Sequence, residues 1–320
     1  MRFLVTGASG FIGRAICQHL LRLNHQIRPV TSSQASQSRL VALLPHAERF
    51  NIVRISHNAV LPSDWKQACL EVDAVIHLGA RAHLVKETVA DMDAVYKTAN
   101  CEVTLALALA ALESGVQRFI FISSIGVNGA ETFDAPFKAE DTPAPHSTYA
   151  VSKYEAEIGL KKHAEQSDLD VVVIRPPLVY GPGAPGNFGS LMRAVRRGWP
   201  LPLGAIYNQR SLVALDNLVD FIVTCATHPH AANQTFLVSD GQDLSTTELV
   251  RGMAQAAGVP SRLLPVPVWA LQAGASLLGK GDVVQRLCGN LQVDISKARS
   301  LLGWAPPVSV QEGLRRAMAV

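Results

Sequence analysis

Residues 2–21 read RFLVTGASGFIGRAICQHLL, and this stretch decides the fold. RFLVT is an apolar run of strand length, and FIGRAICQHLL carries apolar residues at helical spacing. Gly7, Gly10 and Gly13 stand at the turn and just inside the helix. A strand that turns through glycines into a helix gathers backbone N–H groups and the positive end of the helix dipole at one point. One glycine permits the tight turn, another lets the backbone approach a pyrophosphate, and a third lets helix and strand pack closely. The spacing is G-x-x-G-x-x-G, in a first strand–turn–helix unit, and it reads as a dinucleotide-phosphate loop.

The same rhythm continues outward. Further strand candidates are QIRPVT (26–31), NIVRI (51–55), DAVIHL (73–78), RFIFIS (118–123), DVVVIR (170–175) and TFLVS (235–239). Helix-like segments lie between them, among them 11–23, 91–114, 148–165 and 216–227. Runs that are apolar on both faces suit strands covered by helices on both sides, so the expectation is an α/β protein with a doubly wound parallel sheet. After about residue 176 the pattern changes to RPPLVYGPGAPGN and WPLPLG, dense in proline and glycine, and the last 75 or so residues read as helical. Ser245–Glu248 and Ser309–Glu312 have the spacing of capping boxes. The expected organisation is a dinucleotide-binding domain, 1–176 plus about 212–240, and a smaller discontinuous domain from about 177–211 and 241–320.

Composition narrows the function classes. A net charge of +3 over 320 residues gives no footprint for nucleic acid, and Arg193, Arg196 and Arg197 read as a solvated helix face. Cys17, Cys69, Cys101, Cys225 and Cys288 are odd in number and lack C-x-x-C spacing, as expected of reduced thiols in a cytoplasmic protein. The N-terminus runs straight into a strand, so no signal peptide is expected. VPVWALQAGASLLG (266–279) is too short to span a bilayer and reads as a buried or groove-lining helix. No metal-ligand spacing is present; His228 and His230 read as a loop after a helix, and the glycine loop lacks the Gly-Lys-Ser/Thr ending of an ATPase.

The end of the second strand selects between cofactors, because an acid there binds the adenosine ribose and repels a 2′-phosphate. This chain has Thr31, Ser32 and Ser33 instead, with Arg14 and Arg39 as candidate cationic partners, which favours NADP(H) with NAD(H) as the alternative. The chemistry points to STYAVSKYEAE, where Tyr149 and Lys153 share one helical face. Ser123 and Ser124 end a strand, at the carboxyl edge where such sheets bind ligands. Lowering a tyrosine pKa by about three units takes roughly 4 kcal/mol, and a neighbouring ammonium with a cationic nicotinamide ring can supply it. Ser124 would hold a substrate oxygen while Tyr149 moves its proton.

Taken in order, these motifs resemble the extended short-chain dehydrogenase/reductases, the nucleotide-sugar epimerases, dehydratases and 4-ketoreductases. TGASGFIG looks like that family's phosphate loop, DAVIHLGA its fourth strand, EDTPAPHSTYAVSK its lead into Tyr-x-x-x-Lys, RPPLVYGPG its turn into the sugar domain and DISKARSLLGWAP its C-terminal signature. The resemblance implies a Rossmann-like fold and a catalytic set of Asn100, Ser124, Tyr149 and Lys153. It implies cofactor contacts from Gly7, Gly10, Phe11, Ile12, Gly13, Thr31, Ser32, Leu78, Ala80 and Lys153. Substrate contacts to a UDP-sugar would come from Ser123, Ser124, Tyr149, Asn187, Arg210 and Arg286, with no metal. A homodimer through 91–114 and 148–165 is usual in the family.

The departures are informative. Dehydratases carry an Asp-Glu pair after the catalytic serine, whereas here Ser124 is followed by Ile125-Gly126, with no carboxylate to eliminate water. Asn128, Leu178 and Ser211 replace a tyrosine, an asparagine and an aspartate common in the family. These departures favour a 4-ketoreductase acting on a UDP-4-keto-6-deoxy-N-acetylhexosamine in surface-polysaccharide synthesis. The alternatives are a UDP-hexose or UDP-N-acetylhexosamine 4-epimerase, a hydrophobic-alcohol dehydrogenase and a non-catalytic dinucleotide-sensing protein.

Overall fold

The computed structural model describes residues 1–44, 50–81, 92–277 and 281–319, except the side chains of Leu277, Asp282 and Val283. Residue 91 of the expected helix 91–114 and residues 278–279 of the apolar stretch therefore lie outside the described residues. The first half alternates as the sequence predicts: β1 (Arg2–Thr6), α1 (Phe11–Arg22), β2 (Gln26–Thr31), α2 (Gln34–Val41), β3 (Val53–Arg54), α3 (Ser63–Cys69) and β4 (Ala74–His77). There follow α4 (Met92–Lys97), a wide π-turn at Thr98–Glu102, α5 (Val103–Glu113), β5 (Arg118–Ile122), α6 (Thr148–Glu165) and β6 (Asp170–Arg175). Then come β7 (Leu178–Tyr180), α7 (Gly186–Arg196), β8 (Leu212–Ala214), α8 (Leu215–Thr227) and β9 (Thr235–Leu237). Five helices close the chain: α9 (Thr246–Ala256), α10 (Val268–Leu277), α11 (Gly281–Cys288), α12 (Ser296–Leu302) and α13 (Val310–Met318).

Seven strands form one parallel sheet in the order β3-β2-β1-β4-β5-β6-β9. The order reverses between β1 and β4, and a crevice at the strands' carboxyl ends is the ligand position of such sheets. Alternate residues of each strand enter different cores: Phe3 and Val5 pack with Ile16 and Leu20 of α1, while Leu4 packs with Leu107 and Ala111 of α5. This is why the strands read as unbroken apolar runs. All seven expected strands occur, with NIVRI reduced to a two-residue edge.

The two-stranded parallel sheet β7–β8 was not expected, since its three-residue strands sit in stretches such as RPPLVYGPG whose proline and glycine signal turns. It is fastened by buried Asp240, which accepts from Tyr180 Oη (2.7 Å), Ala214 N (2.8 Å) and Asn217 Nδ2 (2.7 Å). Two other expectations change. Ser245 and Glu248 close a reciprocal capping box, but Ser309 caps α13 alone, because Glu312 turns to Arg315 and Arg316. The apolar helix α10, expected to be buried or groove-lining, is covered on one side only: Val268 and Leu271 pack on the late core and Ala275 is buried, while Trp269 is 71% exposed and Gln272, Ala273 and Ser276 also face outward. Among the described residues no helix is long and apolar enough to cross a membrane.

Candidate active site

The glycine loop is built for close backbone approach. Gly7 has φ +64°, and a Cβ there would press against Leu78 and Gly79 backbone at 3.0 Å. A Cβ on Gly13 would overlap the Gly7 carbonyl. Gly10 starts α1 without any side-chain cap, and Phe11 and Ile12, both half-buried, open its first turn. The N–H groups of that turn thus have no side chain competing for them, and the cradle fits a pyrophosphate. Leu78 is half-buried and Ala80 exposed on the turn after β4.

At the tip of β2 the three hydroxyls divide. Thr31 Oγ1 is buried and unpartnered among the described residues, while Ser32 is half-exposed. Ser33 is spent on capping α2, accepting from Ser36 N. Arg14 folds back so that its Nε donates to Gly10 O at 3.3 Å, and Arg39 is exposed in the last turn of α2.

A buried polar brace lies beneath the loop. Thr6 Oγ1 accepts from Leu78 N (3.2 Å) and Gly79 N (3.0 Å) and meets His77 Nδ1 at 2.7 Å. His77 Nε2 meets Thr104 Oγ1 at 2.9 Å, and Thr104 donates to Asn100 O at 2.7 Å. Proton order then requires Thr6 to donate to Nδ1 and Nε2–H to donate to Thr104. Burial, with the Lys153 charge nearby, holds the His77 pKa down to about 3, so the ring stays neutral. The sequence hides this brace, since a histidine in a strand carries no signal of its own.

Asn100 sits in the π-turn, fully buried. Its Oδ1 accepts from Arg81 N (2.8 Å), and its Nδ2 donates to Arg81 O (3.1 Å) and Ser152 Oγ (3.0 Å). Its side chain therefore clamps the turn after β4 onto α6. Its π-turn is of a kind that clusters at functional sites.

Ser124 follows β5 and starts a 3-10 turn, its Oγ accepting from Gly126 N at 3.1 Å. Ser123 Oγ is buried and unpartnered among the described residues. Ser147 caps α6, which places Tyr149 in the first turn and Lys153 in the second. Tyr96 meets the Tyr149 ring edge-on at 6.2 Å, and Lys153 Nζ lies 4.0 Å over the Phe121 ring. The expected depression of the tyrosine does not exist in the protein alone. Burial, reinforced by Tyr96, pushes Tyr149 up to about 12, and burial lowers Lys153 to about 7 against the pull of Glu157. One turn further on, Glu157 pairs with Arg175 (Nη2–Oε2 2.5 Å), and Arg175 Nη1 donates to Asn128 Oδ1 at 2.9 Å. Asn128 Nδ2 donates in turn to Lys138 O at 2.8 Å.

The substrate candidates spread along the later elements. Arg210 is half-buried, its Nη1 donating to Gly289 O at 3.0 Å, and its backbone pairs with Leu244 and Leu291. Arg286 is exposed on α11, close in sequence to the same 287–291 strap, and Asn187 is exposed in the first turn of α7. No hydrogen bond among the described residues joins these three to one another or to the Ser124–Tyr149–Lys153 group. Ser211 Oγ meets Asp243 Oδ1 at 2.5 Å and accepts from Val293 N at 2.9 Å, so it works as a strand tie.

A nucleotide cradle and a Ser/Tyr/Lys group at one carboxyl edge invite comparison with known proteins. The family model described as the NAD dependent epimerase/dehydratase family matches residues 3–239. The chain belongs to this family. Among its relatives, a UDP-glucose 4-epimerase of Vibrio cholerae is 45% identical over 316 residues, covering 98% of this chain and 93% of that protein. Two solved structures share the fold at 23% identity. A Thermotoga maritima UDP-glucose 4-epimerase with UDP-glucose has a TM-score of 0.79, covering 99% of this chain and 97% of that one. A Bacillus cereus UDP-glucuronic acid 4-epimerase with NAD has 0.78, covering 99% and 96%. The family member described here is thus an enzyme-family α/β protein whose similar named relatives include 4-epimerases; the sequence departures had pointed to a ketoreductase.

Proposed function

We propose that the protein is a UDP-hexose 4-epimerase interconverting UDP-glucose and UDP-galactose. The observation that carries this reading is the 45% identity to the Vibrio cholerae UDP-glucose 4-epimerase across nearly the whole chain. A nicotinamide bound at the carboxyl edge supplies the chemistry of taking a hydride from sugar C4 and returning it. Everything else falls to the chain's own groups. Ser124 holds the C4 oxygen and Tyr149 takes and returns its proton. With its phenol at about 12, Tyr149 stays protonated until positive charge faces it. Lys153, near 7, is part-charged at neutral pH and contributes some of that charge. Arg210, with Asn187 and Arg286, would hold the diphosphate.

The cofactor we infer is NAD(H) ahead of NADP(H). The β2 tip has no acid to repel a 2′-phosphate, but Ser33 and Arg14 are already committed to their own elements. An epimerase also regenerates its cofactor each cycle and gains nothing from a reducing pool. The substrate region is inferred to comprise about 177–211 and 241–320, with 1–176 and 212–240 holding the dinucleotide. A homodimer over the outer face of α6 is supported by Val151 (40% exposed) and Ile158 (53%), which lie two turns apart on that face.

Incubating the protein with UDP-glucose should yield UDP-galactose with no net change in absorbance from reduced cofactor. Stoichiometric NADPH loss on UDP-4-keto-6-deoxy sugars, without interconversion of UDP-hexoses, would replace this reading with the ketoreductase.

A further inference from the structure

His146 stands in the candidate site and has no role in the chemistry above. It precedes Ser147, the cap of α6, and Ala144 N donates to Val127 O at 2.9 Å, which lays this segment along the turn after Ser124. His146 Nδ1 lies 3.2 Å from Gly126 O. A carbonyl only accepts, so Nδ1 carries the proton, and in the neutral ring Nε2 is left as an acceptor. Nε2 has no hydrogen-bond partner among the described residues, and the residue is exposed.

The position of Gly126 explains how the ring fits. A Cβ built on Gly126 would meet His146 Cε1 at 3.2 Å, Ser124 Oγ at 3.4 Å and Ala150 Cβ at 3.4 Å. The imidazole, the serine hydroxyl and the residue after Tyr149 therefore border one methyl-sized point. Glycine leaves that point free, and any side chain there would push the ring away from Ser124.

Resting on the 4-epimerase reading, we propose that His146 is a sugar-recognition residue, whose Nε2 accepts a hydrogen bond from a hexosyl hydroxyl flanking C4. A hexose whose C4 oxygen lies on Ser124 and Tyr149 carries two hydroxyls next to that oxygen, on C3 and on the C6 hydroxymethyl. Both are donors, and Nε2 of a ring whose Cε1 borders Ser124 Oγ is an acceptor within reach of that edge. The backbone carbonyl on Nδ1 fixes both the tautomer and the ring plane, so the acceptor is in place before the sugar arrives.

The test compares wild type, His146→Ala and His146→Gln, all loaded with NAD, with UDP-glucose as substrate and UDP as inhibitor. His146→Ala should raise KM for UDP-glucose about three- to tenfold, the worth of one hydrogen bond, while the Ki of UDP stays unchanged. His146→Gln, which keeps a side-chain acceptor, should recover most of the loss. UDP-3-deoxyglucose and UDP-6-deoxyglucose identify the donor, because the analogue lacking it should be indifferent to His146→Ala. An unmoved KM, or a UDP Ki that weakens in step with KM, overturns the assignment to the sugar. A wild-type protein that interconverts neither UDP-glucose nor UDP-galactose overturns the epimerase reading and this inference with it; an active wild type with an unmoved KM overturns His146 alone.

Discussion

Lys153 shows how one side chain couples chemistry to stability. It is 1% exposed, yet burial only lowers its pKa to about 7 from an ordinary 10.5. The unfolded chain keeps this proton up to about pH 10, whereas the folded protein releases it near pH 7. Below pH 7 both states are charged, and burial of the ammonium destabilises the fold in full. Between pH 7 and 10 the unfolded state binds more protons, so stability rises with pH. Lys153→Met should therefore be more stable than wild type by a few kcal/mol at pH 6.5, the gap closing towards pH 10. Urea midpoints at several pH values measure it, and a gap that does not change with pH would show that Lys153 is not the group that titrates. The placing of Tyr149 and Lys153 on consecutive turns of one helix was legible from their spacing. The raised phenol was not, because burial belongs to the packed state.

At the scale of elements, α6 is held to the sheet by a buried polar set rather than by apolar contact alone. Glu157, Arg175 and Asn128 are 7%, 4% and 3% exposed, and together they tie α6, β6 and the turn after Ser124. Removing one partner of a buried pair strands the other's charge. Glu157→Ala should cost about 3–5 kcal/mol in unfolding free energy, and a Glu157→Leu/Arg175→Met double variant should recover much of it. Thermal and urea unfolding read both. Equal losses for the single and double variants would mean that packing, and not the stranded charge, sets the cost. The shared face of Tyr149 and Lys153 was visible in the sequence, but Glu157, one turn further along it, carried no signal there. Its partner Arg175 lay in a strand end whose reading as a turn motif said nothing of α6. Strands such as β1, β5 and β6 were legible because both their faces are covered, and β9 because the apolar run around it extends beyond its three residues; β7 and β8 lie in proline- and glycine-rich or irregular sequence that shows no period. The Ser309–Glu312 spacing was read as a cap, but two arginines one turn away compete for the same carboxylate.

Across the whole molecule, the proposed diphosphate ligand Arg210 belongs to the strap that joins the β8 region to the chain's last helices. Its guanidinium is pinned by Gly289 O, and burial lowers its pKa from the usual arginine value while the Glu131 carboxylate opposes that shift. Arg210→Ala should raise KM for UDP-glucose and the Ki of UDP together, about tenfold or more for a charge-assisted contact, with NAD content unchanged. Equal KM values in variant and wild type would remove Arg210 from the substrate. The distribution of substrate candidates over α7, the β8 approach and α11 was beyond the reach of the sequence, because it depends on how the late helices fold back.

The pairing of β9 with β6, Val173 against Thr235 through Arg175 against Leu237, has a consequence for biosynthesis. As the chain leaves the ribosome, β6 emerges some sixty residues ahead of the strand that covers its edge. During that interval β7, α7, β8 and α8 are made, and the β6 edge stays open to other chains. The seven-stranded sheet therefore finishes assembling only after β7, α7, β8 and α8 have been synthesised, and translation stalled before residue 235 leaves a nascent chain prone to aggregate.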